Sequence, residues 1–93
     1  MDNEILINIK KSQELLKKKD FDKAENILLK NLDISNDSFE TFFLLGSISG
    51  IKKDLNKAEV YLEKAILLNS SHINLLLNLE IIKKKLKKRK ESV

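Results

Sequence analysis

The sequence predicts an all-α protein in which five helices fold as antiparallel hairpins stacked into a short solenoid. Three observations carry this. Apolar residues recur at three-and-four spacing almost throughout the 93 residues. The chain has no Pro and only two Gly, which points away from turn-dense β architectures. It also repeats itself at a period of 34 residues, the length of one helix hairpin.

The first helix is read from about Glu4 to Lys18, because Ile5, Ile9, Ser12, Leu15 and Leu16 share one face and Lys10, Lys11, Lys17 and Lys18 fall largely between them. A second begins after Asp20, whose carboxylate can cap the free amides of a first turn, and carries Phe21, Ala24, Ile27, Leu28 and Leu32. The third starts near Asp37, Ser38 and Phe39, where Asp37 followed by Glu40 resembles a capping box. It is apolar nearly all round, through Phe39, Phe42, Phe43, Leu44, Leu45, Ile48 and Ile51. Asp54 opens a fourth helix through Leu55, Ala58, Tyr61, Leu62, Ala65 and Ile66 to about Leu68. Ser70 or Ser71 is expected to cap a fifth, from about His72 into the basic tail. Connections this short make consecutive helices antiparallel.

Composition narrows the function classes. A chain of this length is one domain. With no Cys, disulfide scaffolds, Cys-ligated zinc sites and thiol catalysis are excluded. No apolar run reaches membrane-spanning length, and Met1-Asp2-Asn3-Glu4 lacks the basic and apolar regions of a signal peptide, so a cytoplasmic protein is expected. The net charge of +4 is local. Lys83, Lys84, Lys85, Lys87, Lys88, Arg89 and Lys90 hold it, on a slightly acidic body.

Shifting the chain by 34 residues lays Lys18-Lys19-Asp20 on Lys52-Lys53-Asp54, Lys23-Ala24-Glu25 on Lys57-Ala58-Glu59, Leu28 on Leu62 and Ser12 on Gly46. A hairpin of this length, with Leu45-Gly46 in its first helix and Asp54 to Glu59 opening its second, resembles the tetratricopeptide repeat. The resemblance implies a right-handed superhelical solenoid with repeat one at 5–38, repeat two at 39–72 and a last helix at 73–90. Repeat one departs from the pattern: Asn8 stands at the aromatic position and Asn31 at the second small one, and Asn36 and Ser70 replace the closing Pro of the two repeats. A buried amide at Asn31 needs hydrogen-bond partners, so either repeat one packs less tightly or Asn31 lies at an exposed end. About three repeats are normally wanted for stability, so either the last helix or a second chain is expected to seal the stack.

The side-chain inventory speaks against catalysis. There is one His and no glycine-rich phosphate loop. His72 reads as an exposed residue near a helix start, and the pair Glu59 and Glu63 as a solvated helix face without a His to complete a metal site. No metal or cofactor is expected.

In the tetratricopeptide family the first helices of successive repeats line a concave surface that grips a peptide or a helix. Carried onto this chain, the resemblance implies a lining of Leu6, Ile9, Lys10, Gln13 and Leu16, then Glu40, Phe43, Leu44, Ser47 and Ile51, then Asn74, Leu77, Asn78 and Ile81. The expected partner is an apolar or amphipathic segment of another protein, or a second copy of this chain. Where some members clamp an acidic chaperone tail with Lys, Arg and Asn, this chain has Ile9, Gln13, Leu44, Asn74 and Asn78, so no chaperone-tail binding is expected. On the last helix Leu75, Leu79, Ile82 and Leu86 form one stripe and Ile73, Leu77 and Ile81 another; if only the first docks, the second marks an interface. The second reading is an accessory binder of nucleic acid or anionic membrane through the basic tail. Against it stand a single Arg, no interleaved aromatic, and the ordinary preference of cations for a helix C-terminus.

Overall fold

Helix boundaries in this protein largely follow the 34-residue period. The computed structural model describes residues 3–91, with side chains as far as Arg89. Its helices are α1 (Asn3–Lys17), α2 (Phe21–Ile34), α3 (Phe39–Ile51), α4 (Leu55–Leu68) and α5 (Ile73–Glu91). Asp20 and Asp54 each perform two tasks. The backbone N–H of Asp20 donates to Leu15 and that of Asp54 to Ser49, both at 2.9 Å, which closes the helix behind. Their carboxylates accept from the N–H groups of Lys23 and Lys57 and open the helix ahead. Between them Lys19 and Lys53 take left-handed backbones, at φ 61° and 65°, in the position where such turns ordinarily carry Gly.

Two starts differ from the sequence reading. α3 is capped by Ser38, not Asp37: the Ser38 Oγ accepts from the Thr41 N–H, while the Asp37 carboxylate engages the Ser35 hydroxyl. α5 is capped by His72, not by Ser70 or Ser71. The Asn69 side chain holds Ser71, and the His72 Nδ1 accepts from the Leu75 N–H at 3.2 Å. His72 is not an exposed side chain either. It is half-buried, with its ring 5.2 Å from that of Phe39 and 4.9 Å from that of Phe43.

The helices form an all-α repeat stack in which each packs on the next. Its core has two parts. Ile5 and Ile9 of α1, Ala24 and Leu28 of α2, and Leu45 and Ile48 of α3 form the first. Phe42 of α3, Leu55, Ala58, Leu62 and Ala65 of α4, and Leu75, Leu79 and Ile82 of α5 form the second. α3 serves both, which is why it is apolar nearly all round. Of the two stripes on α5, Leu75, Leu79 and Ile82 are buried with Leu86 packed beside them, while Ile73, Leu77 and Ile81 are exposed.

Asn31 contradicts one of the two alternatives drawn from its position, the exposed end. It is fully buried, not at an exposed end, and its amide is fully engaged. Its Oδ1 accepts from the Asn8 Nδ2 at 2.9 Å, and its Nδ2 donates to the Ile5 carbonyl at 3.2 Å and the Thr41 Oγ1 at 3.1 Å. The Thr41 hydroxyl in turn donates to Ser38 Oγ at 2.8 Å. Asn8 and Asn31 are thus one feature. They occupy the places that Phe42 and Ala65 hold one period later, trading a large and a small apolar side chain for two of middle size joined by a hydrogen bond.

The two glycines have different reasons. A Cβ on Gly46 would lie 2.5 Å from Leu62 Cδ2 and 2.7 Å from its Cγ, so α3 and α4 approach closely only because that atom is missing. A Cβ on Gly50 would meet only Ile82 Cδ1, at 3.6 Å, an ordinary contact. Gly46→Ala is therefore expected to destabilise by about 1–3 kcal/mol through overpacking. Gly50→Ala is expected to stabilise by about 0.5–1 kcal/mol, because a helix interior favours Ala. Thermal melts of the two single variants check the opposite signs.

Among the described residues, no helix is long and apolar enough to cross a membrane.

Candidate partner-binding groove

The residues assigned to the groove divide by helix. On α1, Leu6, Lys10 and Gln13 are exposed and Leu16 is half-buried, but Ile9 is part of the first core cluster and offers no surface. On α3, Glu40 and Ile51 are exposed, and Phe43, Leu44 and Ser47 are half-buried. Phe43 packs against the second core cluster and Leu44 against the first. On α5, Asn74, Leu77, Asn78 and Ile81 are all exposed.

Four of these meet around one cleft. Ser47 and Ile51 from α3 face Asn78 and Ile81 from α5 across an opening of about 290 Å³ whose other walls are Gly46, Gly50, Leu62, Ile82 and Lys85. The α1 residues do not reach it, nor do Glu40, Phe43, Leu44, Asn74 and Leu77. The Ser47 hydroxyl is turned onto its own helix, donating to the Phe43 carbonyl at 2.9 Å, which leaves the cleft lining largely apolar. Gly46, Gly50 and Lys85 line this opening although the sequence reading did not assign them to the groove. The signal was present, since the only two glycines of the chain stand four residues apart on one helix face.

The basic tail is not one stripe. Lys83 pairs with Glu63 of α4 at 3.4 Å, so that carboxylate is not merely solvated. Lys83 and Lys87 also border a cleft with Glu59, Asn56 and Leu86. Lys85, Lys88 and Arg89 turn the other way, toward Gly50, Lys53 and Leu55. Lys84 is exposed, and the side chain of Lys90 lies outside the described residues.

A matching bridge ties the first two hairpins. The Lys52 ammonium lies 2.6 Å from Asp22 and 3.1 Å from Glu25 of α2. The hydrogen bonds it donates to Asp22, and then to Glu25, hold its pKa above the ordinary 10.5. A raised lysine stabilises below its ordinary pKa and loses that contribution as pH climbs through the folded value, so this bridge is complete at neutral pH.

No group of three or more His, Cys, Asp or Glu gathers among the described residues in a way that could hold a metal ion. The family model of the tetratricopeptide repeat matches residues 39–72, which hold α3, α4 and the turn to His72. No curated protein matches the chain significantly.

Proposed function

Through residues 39–72 this chain belongs to the tetratricopeptide repeat family, and we propose on that premise that it is a non-catalytic adaptor or scaffold that holds a segment of another protein in the groove between α3 and α5. Repeats of this family suggest a protein–protein interaction module. The reading takes the chain as one cytoplasmic unit of two repeats, 5–38 and 39–72, closed by the helix over 73–90.

The observation that carries it is the exposed apolar surface beside the cleft. Ile51 is 54%, Leu77 57% and Ile81 51% exposed, on helices whose other faces are already docked. Apolar side chains left in water on two facing helices favour a partner that covers them. A uniform tail acting on nucleic acid or membrane is the weaker reading, because Lys83 is already paired with Glu63 and Lys87 sits beside Glu59.

Leu77→Glu with Ile81→Glu is the test suited to this geometry. Leu44, which the sequence also offered, packs on the core, and a charge there would disturb folding as well as binding. The double variant is expected to keep the far-UV circular dichroism of the parent and to lose capture of its partner from the native cell extract. If the occupant is a second copy, sedimentation shows a dimer that the variant splits. Capture and assembly unchanged by the variant would refute the reading.

A further inference from the structure

Two clefts of different chemistry meet at Gly50 and Lys85. One is the apolar opening between α3 and α5. The other, about 300 Å³, is lined by Lys53, Lys85, Lys88 and Arg89 with Gly50 and Leu55. Among the described residues no Asp or Glu lines either one. By contrast, Lys52 is neutralised by Asp22 and Glu25 of α2, and Lys83 by Glu63 of α4. Lys53, Lys85 and Lys88 have no such ion pair among the described residues. Like charges gathered around a cleft repel one another, and an incoming anion relieves that repulsion.

Gly50 supplies a second, independent observation. It lines both clefts, yet helix packing does not demand it, since its Cβ would meet only Ile82 at an ordinary distance. A glycine inside a helix costs roughly 0.5–1 kcal/mol. What its missing side chain leaves here is room at the point where the apolar and basic clefts join.

We propose that the double cleft binds an acidic amphipathic segment of another protein, its apolar side chains entering between Gly50 and Ile81 and its carboxylates seated against Lys53, Lys85 and Lys88. This rests on the reading of the α3–α5 groove as the partner site and adds the partner's chemistry. Apolar burial supplies the attraction, and the lysines select for acid and set orientation.

The test uses the full chain and two fluorescent synthetic helices that share a Leu stripe at three-and-four spacing, one flanked by Glu and the other by Gln. Fluorescence anisotropy is expected to show the Glu peptide binding about tenfold more tightly at low salt, with the gap closing as salt is raised. Lys85→Glu with Lys88→Glu, both at exposed positions, should abolish the gap. Gly50→Ala should weaken both peptides while the fold becomes no less stable. Equal binding of the two peptides, both lost in the Leu77→Glu and Ile81→Glu variant, would overturn the acidic preference and leave the groove reading standing. Binding of neither peptide would overturn both. A single-stranded oligonucleotide that binds more tightly than the Glu peptide, and is released by the Lys85 and Lys88 reversals, would overturn the proposal by assigning the basic cleft to nucleic acid.

Discussion

Asn31→Ala is expected to cost about 3 kcal/mol and to lower Tm by roughly 10–20 °C, because it strands a polar partner and opens a cavity at once. Among the described residues the Asn31 Oδ1 is the one acceptor of the Asn8 Nδ2, and Asn8 is itself buried. Losing it leaves an amide N–H without a partner where water hardly reaches. Thr41 suffers less, since its hydroxyl still donates to Ser38. Asn8→Phe alone should also destabilise, by crowding the site and by removing the donor to the Asn31 Oδ1. The double variant, Asn8→Phe with Asn31→Ala, recreates the pair that Phe42 and Ala65 form one period later within the second core cluster. It is expected to be more stable than either single variant. Urea denaturation of all four proteins gives the coupling, and single costs that simply add would refute the volume exchange.

This network also marks where sequence reasoning stops. The places of the four turns, the 34-residue period and the all-round apolarity of α3 were legible, because each is set by residues adjacent in the chain or one period apart. Asp20 and Asp54 could be read as caps since each stands directly before an apolar run. Ser38 and His72 could not. Asp37 competes with Ser38 for the same role, and it is the engagement of Asp37 by Ser35 that decides between them. His72 caps α5 because Phe39 and Phe43, far away in sequence, hold its ring in place. Asn31 draws its partners from α1 and α3, so its satisfaction is a property of the packed stack. The groove was legible as a set of helices and not as a surface. Ile9 went inside because the first core cluster, at the end of the stack, needs α1 to supply Ile5 and Ile9 together. Lys85 and Gly50 entered because the crossing of α3 and α5 brings them to one opening.

The largest effect is expected from α5 itself: a chain ending at residue 72 should lose its helical circular dichroism. α5 buries Leu75, Leu79 and Ile82, and each such side chain contributes roughly 1.5–3 kcal/mol when taken fully out of water. Removing it also bares Phe42, Leu55 and Leu62 of the second cluster. Domains have only about 5–15 kcal/mol of net stability, so the loss is comparable with the whole. Leu75→Ala in the full chain is the milder form, with an expected cost of about 2–5 kcal/mol. The exposed side of α5 shows why this helix can close a stack. One period after Phe42 and Gly46, which face α4, stand Leu76 and Glu80, both exposed. A carboxylate thus occupies the position where α3 receives its own partner helix by having no side chain at all. If the shortened chain stays helical and monomeric, α5 is an appendage and the two hairpins hold each other. If it stays helical only as a dimer, a second copy has taken the place of α5, and the sealing of the second core cluster is shown to be the requirement that either can meet.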